Sequence, residues 1–456
     1  MKKETRDFYK NLSILVLPLA FQNLMAAMVG ASDALMLGML DQDSLSAVSL
    51  AVQVQFVLFL FHTALTSGTT ILAAQYWGIK DKKSVESVLA ISLKTSCFIS
   101  FVFFLTTFLF PNFLMGLLTN DNTLILYGAE YLKSVCWSYL LIGVSQIYLC
   151  IMKNSGRTLK STIFSSSAMV LNILLNAILI FGLFGFPRLG ITGAAIATVI
   201  SCGVELLLIM LENTRKDVVK IRWKLIFSSN EYLRKDFLRY TLPVLANMLA
   251  WGCGFTMFSV IMGHLGSDAV AANSIANIVK NITACVCFGI GTGSGIIIGN
   301  ELGRGDLAKA KEYGGRFSRL SIVAGAISGL LLLLISPIIL RFSTNLSAQA
   351  YYYLRGMLYI CSYYMIGKSI NSTVIAGIFC AGGDTKFGFI CDTITMWVVI
   401  VPIGLLAAFV FKLPVLVVYF LLSLDEFVKL PAVYRHYKKY NWVKNLTKKQ
   451  PCNVAV

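Results

Sequence analysis

Apolar runs of about 20 residues or more recur along almost the whole of this chain, broken by short polar segments. Each is long enough to cross a bilayer core of roughly 30 Å as a helix rising about 1.5 Å per residue. A lone strand in lipid would leave its backbone unpaired, so such runs predict helices. Twelve spans result, over approximately 12–40, 47–77, 88–110, 123–151, 161–183, 190–211, 237–264, 270–300, 317–340, 351–380, 387–410 and 413–434. The longest polar stretch, ENTRKDVVKIRWKLIFSSNEYLRKD, separates six spans from six and has room for a short surface helix. The expected fold is an all-α polytopic membrane protein. It has an N-terminal six-helix lobe over 1–211, a cytoplasmic linker over 212–236, a C-terminal six-helix lobe over 237–434 and a cytoplasmic tail over 435–456.

The two sets of six are copies. At a constant offset of 225 residues, Pro18 pairs with Pro243, Gly38 with Gly263 and Leu40 with Leu265. The register continues through Asp43/Asp268, Ala47/Ala272, Ser49/Ser274, Gly68/Gly293, Gly78/Gly303 and Asp81/Asp306 without a gap. Internal repetition of this kind sets architecture before any single motif does. Six spans per copy return the chain to its starting side, so the repeats are parallel. Parallel repeats predict a pseudo-two-fold axis along the membrane normal and a V-shaped cavity between lobes.

Composition narrows the class. Only 13% of the 456 residues are charged and 57% are hydrophobic, against about a quarter charged in a soluble domain. The formal charge of +17 could point to nucleic acid, but its placement argues otherwise. Of the 39 Lys and Arg, only Arg188, Arg341 and Lys412 fall in the odd-numbered loops, and Lys94, Lys133, Lys280, Arg355 and Lys368 lie within spans. The rest gather at the termini, the linker and the even-numbered loops. That asymmetry predicts both termini inside, in the cell membrane, and leaves no role for nucleic acid. The charged opening MKKETRDFYK leads into a span too long for a cleavable signal core.

Most of the eleven cysteines sit inside apolar runs and read as small buried hydrophobes. His62, His264 and His436 form no metal-spaced cluster, and no Walker lysine pattern occurs. The run GIGTGSG follows no strand and suits close helix packing better than a nucleotide. No paired catalytic groups share a depth, so an enzyme is not expected. No cofactor is implied.

The acids within spans are few. Glu130 can pair with Lys133, while Glu205, Asp392 and the Asp425/Glu426 pair lie near helix ends, within reach of headgroup water. Asp33 alone has apolar neighbours on both sides, about 10 Å below the surface. An intramembrane acid is a functional candidate by default. Asn172 and Asn176, spaced to share one helix face, and Thr198 fall at the same depth. One carboxylate, two amide carbonyls and a hydroxyl suit a small cation such as sodium. In a dry setting the same carboxylate can carry a proton instead. Pro18, about four turns away on helix 1, is a candidate hinge. In the second copy Asp33 is matched by Phe258. That copy carries a polar stripe instead: Asn273, Asn277 and Asn281, with Asn247, Lys280, Lys368 and Asn371. The aromatics Trp251, Phe255 and Phe288 lie nearby, and together these residues are the expected substrate cavity. Aromatic faces bind organic cations.

Several segments resemble the multidrug and toxic compound extrusion (MATE) transporters. They are LPLAFQNLMAAMVGASDALMLGMLDQDSLSAVSLA, the matched GTTILAAQYWGIKD and GTGSGIIIGNELGRGD, the hairpin LNILLNAILIFGLFGFPRLGITGAAIAT, and AGGDTKF with CDTITMW. The resemblance runs from about Asn11 to Lys444. It implies an antiporter coupled to H+ or Na+ that exports organic cations, drugs or metabolites by alternating access. It also points to Asp33, Asn172, Asn176 and Thr198 as a coupling-ion site, with Asn176 standing where many members have Asp. Met248 and Ser369 occupy positions where some members carry acids. The implied partners are the lipid bilayer and a cationic, amphipathic small molecule, with the chain as a monomer. The buried lysines keep open a lipid-linked saccharide flippase, or an exporter of an anionic or zwitterionic metabolite.

Overall fold

The computed structural model describes residues 2–222, 224–225, 231–343 and 346–447. The surface helix expected in the linker and the end of the tail fall partly or wholly outside these residues. No strand occurs among the described residues. Helices α1 (Lys2–Gly38), α2 (Gln42–Gly78), α3 (Lys82–Leu109), α4 (Asn122–Asn154), α5 (Thr158–Phe181) and α6 (Gly190–Asn213) form the first set. The second set is α7 (Glu231–His264), α8 (Ser267–Arg304), α9 (Leu307–Phe342) and α10 (Ala348–Asn371, continued as a π-helix over Ser372–Phe379). It ends with α11 (Thr385–Val410) and α12, a succession of Val415–Leu422, Asp425–Val428 and Leu430–Lys438. Ten of these are long and apolar enough to cross a membrane. The other two are α10, which carries Arg355, Lys368 and many tyrosines, and α12, which is interrupted at Ser423–Leu424.

The 225-residue offset holds in three dimensions. It maps α2 onto α8, α4 onto α10 with its π-helical end, and α6 onto α12, each to within about a residue. Local capping repeats with it. Asp81 accepts the N–H of Ser84 at 3.1 Å to start α3, and Asp306 accepts that of Lys309 at 3.0 Å to start α9. These are N-caps, satisfying donors that a helix start leaves orphaned. The helix ends of α2 and α8 also meet symmetrically. A methyl on Gly78 would lie 2.2 Å from the Asn300 carbonyl oxygen, and one on Gly303 2.0 Å from that of Gln75. Asn300 and Gln75 are themselves counterparts under the offset, so glycine is required on both sides of one self-complementary contact.

The helices pack as two compact units. One contains Leu24–Ala73 and Asp81–Leu238, and the other Met1–Asn23, Ala74–Lys80 and Arg239–Val456. The first has a core of Leu37, Val48, Leu58, Leu132, Val135, Tyr139 and Ile180. The α5–α6 hairpin closes tightly, because Gly193 lets α6 approach the backbone of Leu179. In the second unit Met262, Ala272, Ala276, Leu354, Leu358 and Val418 form one core, and Phe8, Phe317, Ile378 and Trp442 belong to another.

Helix ends outrun the apolar runs. α1 begins ten residues before its expected span because Phe8, in the charged opening, is buried against Tyr313 and Phe317 at ring distances of 4.8 and 5.3 Å. The paired prolines, Pro18 and Pro243, lie inside unbroken helices. The start of the expected tail is docked. Trp442 is fully buried. Leu446 N–H donates to Gln75 Oε1 at 2.7 Å, and Asn445 Nδ2 to the Gly303 carbonyl at 3.0 Å.

Candidate functional site

Asp33 lies on α1 within the first unit, and its Oδ1 accepts Nδ2–H of Asn176 at 2.6 Å. That amide nitrogen also lies 3.3 Å from Asn172 Oδ1. Asn172 Nδ2 in turn reaches Thr198 Oγ1 at 3.3 Å and Ser201 Oγ at 3.4 Å. Thr198 donates its own proton back to the Ala194 carbonyl at 3.0 Å, so its lone pairs face the amide. Three helices therefore bring Asp33, Asn172, Asn176 and Thr198 into one hydrogen-bonded chain. The four-residue spacing of the two asparagines on α5 makes this possible. Asn176 Oδ1 is buried and has no hydrogen-bond partner among the described residues. The oxygen set is compatible with a small cation, although an N–H rather than an oxygen of Asn176 faces the carboxylate.

A cavity of about 720 Å³ opens beside this chain, entirely within the first unit. Asp33, Asn172 and Thr198 line it, together with Gln55, Gln146 and Glu205. His62 also lines it, held by Ser96 Oγ at 3.4 Å on Nδ1 and Ser100 Oγ at 3.2 Å on Nε2. Glu205 does not reach outward as its position near a helix end suggested. It is 7% exposed, and Ser165 Oγ donates to its Oε1 at 2.8 Å. The signal for this was present: Thr198, Ser201, Cys202 and Glu205 recur at helical spacing along one face of α6. Glu130 differs from expectation too, accepting from Thr192 Oγ1 at 2.6 Å across to α6 in place of a pairing with Lys133.

The second unit holds charge of both signs. Glu426, 1% exposed, binds Lys368 Nζ at 3.1 Å through Oε1 and Lys429 Nζ at 2.9 Å through Oε2. Lys429 also binds Asp392 at 2.9 Å. Asn371 Nδ2 donates to Glu426 Oε2 at 2.8 Å, and Asn247 Nδ2 to Asp392 Oδ2 at 3.0 Å. The ammonium of Lys368 lies 5.5 Å from the Trp251 ring centre and 5.8 Å from that of Phe288. Trp251 stacks on Phe255 at 5.7 Å, and Lys280 faces the ring of Tyr364 at 5.1 Å. Tyr364 donates to Glu426 Oε1 at 3.3 Å.

Asn247, Trp251, Phe255, Lys280, Phe288, Lys368 and Asn371 thus surround one buried charge network. Asn273 and Asn277 bond each other at 3.2 Å on α8, apart from it, and Asn281 is exposed. None of these ten lines the 720 Å³ cavity. Asp425 and Glu426 are buried and Asp392 half-buried, away from the expected headgroup water, and the lysines on α10 and α12 supply counter-charges to Glu426 and Asp392. Sequence reasoning noted these acids one by one. It did not pair them, since Lys368 and Glu426 stand 58 residues apart.

Two parallel six-helix repeats, with a half-buried carboxylate facing a cavity inside one unit, define a polytopic membrane transporter rather than an enzyme. The MatE family model matches residues 18–178 and 243–422, and the chain belongs to that family. The two matched segments begin at the paired prolines of the repeat. The chain is 25% identical to an uncharacterized transporter, YisQ, of Bacillus subtilis over 97% of this chain and 96% of that one. It is 24% identical to a probable multidrug resistance protein, NorM, of Thermotoga maritima, covering 91% and 89% of the two chains. Among solved structures, a Vibrio cholerae MATE transporter, VcmN, superposes with a TM-score of 0.87 at 17% identity, covering 97% and 99%. An outward-facing multidrug resistance MATE family transporter gives 0.86 at 20% identity, covering 94% and 95%. At these identities the structures speak for the fold alone.

Proposed function

We propose that this protein is a proton-coupled antiporter of the cell membrane that exports amphipathic organic cations by alternating access, with Asp33 as the coupling acid. The observation that carries the reading is the placement of Asp33. It is a half-buried carboxylate lining a 720 Å³ cavity, held among the described residues by a neutral amide alone. Such a group binds a cation or a proton in exchange for nothing else nearby. Proton is favoured over sodium because Asn176 turns an N–H toward the carboxylate and brings no second negative charge. Relatives described as multidrug resistance proteins support the substrate class.

The second unit supports a cationic substrate over an anionic lipid headgroup. Lys368 and Lys429 already have carboxylate partners, and Lys280 faces the ring of Tyr364, so two of the three lysines that an anion would seek are neutralised within the protein. Aromatic faces at Trp251 and Phe288 that now receive the Lys368 ammonium have the chemistry to receive an organic cation. Both termini face the cytoplasm and the chain acts as a monomer. Pro18 is the point at which α1 yields, because proline removes one backbone hydrogen bond from the helix.

The test is efflux of a fluorescent organic cation from proteoliposomes under an imposed proton or sodium gradient. A proton gradient drives wild-type transport, and Asp33→Asn abolishes the response while the protein remains folded. Gradient-driven transport by Asp33→Asn at the wild-type rate refutes the assignment.

A further inference from the structure

The buried and half-buried acids among the described residues fall into two kinds. Glu86, Glu212, Glu301, Asp392 and Glu426 each hold a lysine or arginine at ion-pair distance. Asp33, Glu205 and Asp425 hold none among the described residues; Asp425 sits in the second unit beside the lysine–glutamate network, while Asp33 and Glu205 each accept a hydrogen bond from a neutral group, Asn176 or Ser165. Both line the same cavity. An unpaired carboxylate inside a membrane is costly, and it persists where its charge is used.

The two are linked by matching polar stripes. On α5, Ser165, Asn172 and Asn176 share a face, and on α6 Thr198, Ser201 and Glu205 do so. Asn172 bridges the stripes through Thr198 and Ser201. Thr198 and Glu205 are seven residues apart, roughly 10 Å along the helix. The column therefore runs from Asp33 to Glu205 along one wall of the cavity. The titratable groups facing Glu205 are Cys202 on its own helix and Lys153 at the end of α4, which acts on it without forming an ion pair. His62, Tyr131 and Asp33 face the same cavity.

We infer that Glu205 is a second proton-exchanging carboxylate of this cavity, loaded and unloaded together with Asp33. Each group takes one proton onto a carboxylate oxygen and releases one to water, and no other bond changes. The inference rests on the antiport reading for its role in transport, but the proton exchange itself stands apart from it.

The test is infrared difference spectroscopy of the purified full-length protein in nanodiscs across a pH step, alongside the pH profile of transport in proteoliposomes. Wild type shows two protonated-carboxyl bands. Asp33→Asn removes one and Glu205→Gln removes the other. Ser165→Ala keeps both carboxyls and moves only the Glu205 band, so a misfolded Glu205→Gln leaves the inference open to refutation. In transport, Glu205→Gln reduces the steepness of the pH profile from that of two protons to that of one. An unchanged band pattern in Glu205→Gln, or an unmoved band in Ser165→Ala, overturns the inference. Wild-type protein that ignores every ion gradient yet shows both bands overturns the antiport reading and leaves the second carboxylate standing.

Discussion

The same helices, repeated at an offset of 225 residues, solve the problem of polar groups in lipid in opposite ways. In the first half, Gln55, Gly143, Gln146 and Ser201 carry no charge: three of these four line the 720 Å³ cavity beside Asp33, and Gly143 packs tightly against Ser100. Their counterparts in the second half are Lys280, Lys368, Asn371 and Glu426, which fill the equivalent places with a charge network. Asp33 itself is matched by Phe258, which packs on the apolar core. A scaffold duplicated with its prolines, glycines and caps intact has thus kept one half poised to exchange a charge. The other half pairs most of its charges with one another, and only Lys280 and Asp425 stand outside the ion pairs of that network among the described residues.

That contrast predicts different responses to losing an acid. The largest effect on stability is expected from Glu426→Ala, which strands Lys368 in the interior and leaves Lys429 with Asp392 alone. Breaking a buried ion pair in this way costs about 3–5 kcal/mol, read as a large fall in the thermal unfolding midpoint in detergent. Asp33→Asn, which removes a charge that has no ionic partner, leaves that midpoint close to the wild-type value. Equal loss of stability in the two variants would dissolve the distinction between the halves.

Asn176→Asp sharpens the comparison from the other side. It places a second carboxylate beside Asp33 and turns a hydrogen-bond donor into an acceptor. Sodium then gains a richer oxygen set. The expected outcome is stimulation of transport by a sodium gradient that wild type does not show. Transport that stays indifferent to sodium would mean that Asn176 does not set the ion preference.

Much of the fold was legible because its signals are long and local. Apolar runs marked the spans, and pairs such as Gly78/Gly303 and Asp81/Asp306 marked the duplication. The structure shows why those pairs persist: the glycines meet in one self-complementary contact and the aspartates cap α3 and α9. The chain Asp33, Asn176, Asn172, Thr198 was legible too, since each lies at a depth that hydropathy can estimate. What stayed hidden depends on which way a side chain turns. Glu205 near a helix end could have reached water, and only the packing of α5 on α6 turns it inward to Ser165. The Lys368–Glu426 pair joins helices far apart in sequence, and Trp442, in the segment expected to be a cytoplasmic tail, is fully buried. Such contacts have no local period to betray them.

The smaller effects test how far the halves remain equivalent. A leucine at Gly78 or at Gly303 meets backbone on the facing helix, and overpacking of this kind costs about 1–3 kcal/mol. The two substitutions are expected to lower the unfolding midpoint by similar amounts, and a large difference would show that the contact is symmetric in shape only. Smaller still, Asp81→Ala and Asp306→Ala each remove one N-cap, worth about 1 kcal/mol, and are expected to match each other.

The central claim is that charge exchange belongs to the first half alone. It is tested most directly by counting protons released per substrate bound, using a pH dye and purified protein. Three forms are compared: wild type, Asp33→Asn, and the double variant Lys368→Met with Glu426→Leu, which replaces the second-half pair by apolar side chains. The account predicts full release from wild type and from the double variant and a diminished release from Asp33→Asn. Undiminished release from Asp33→Asn, or its disappearance in a folded double variant, would contradict it.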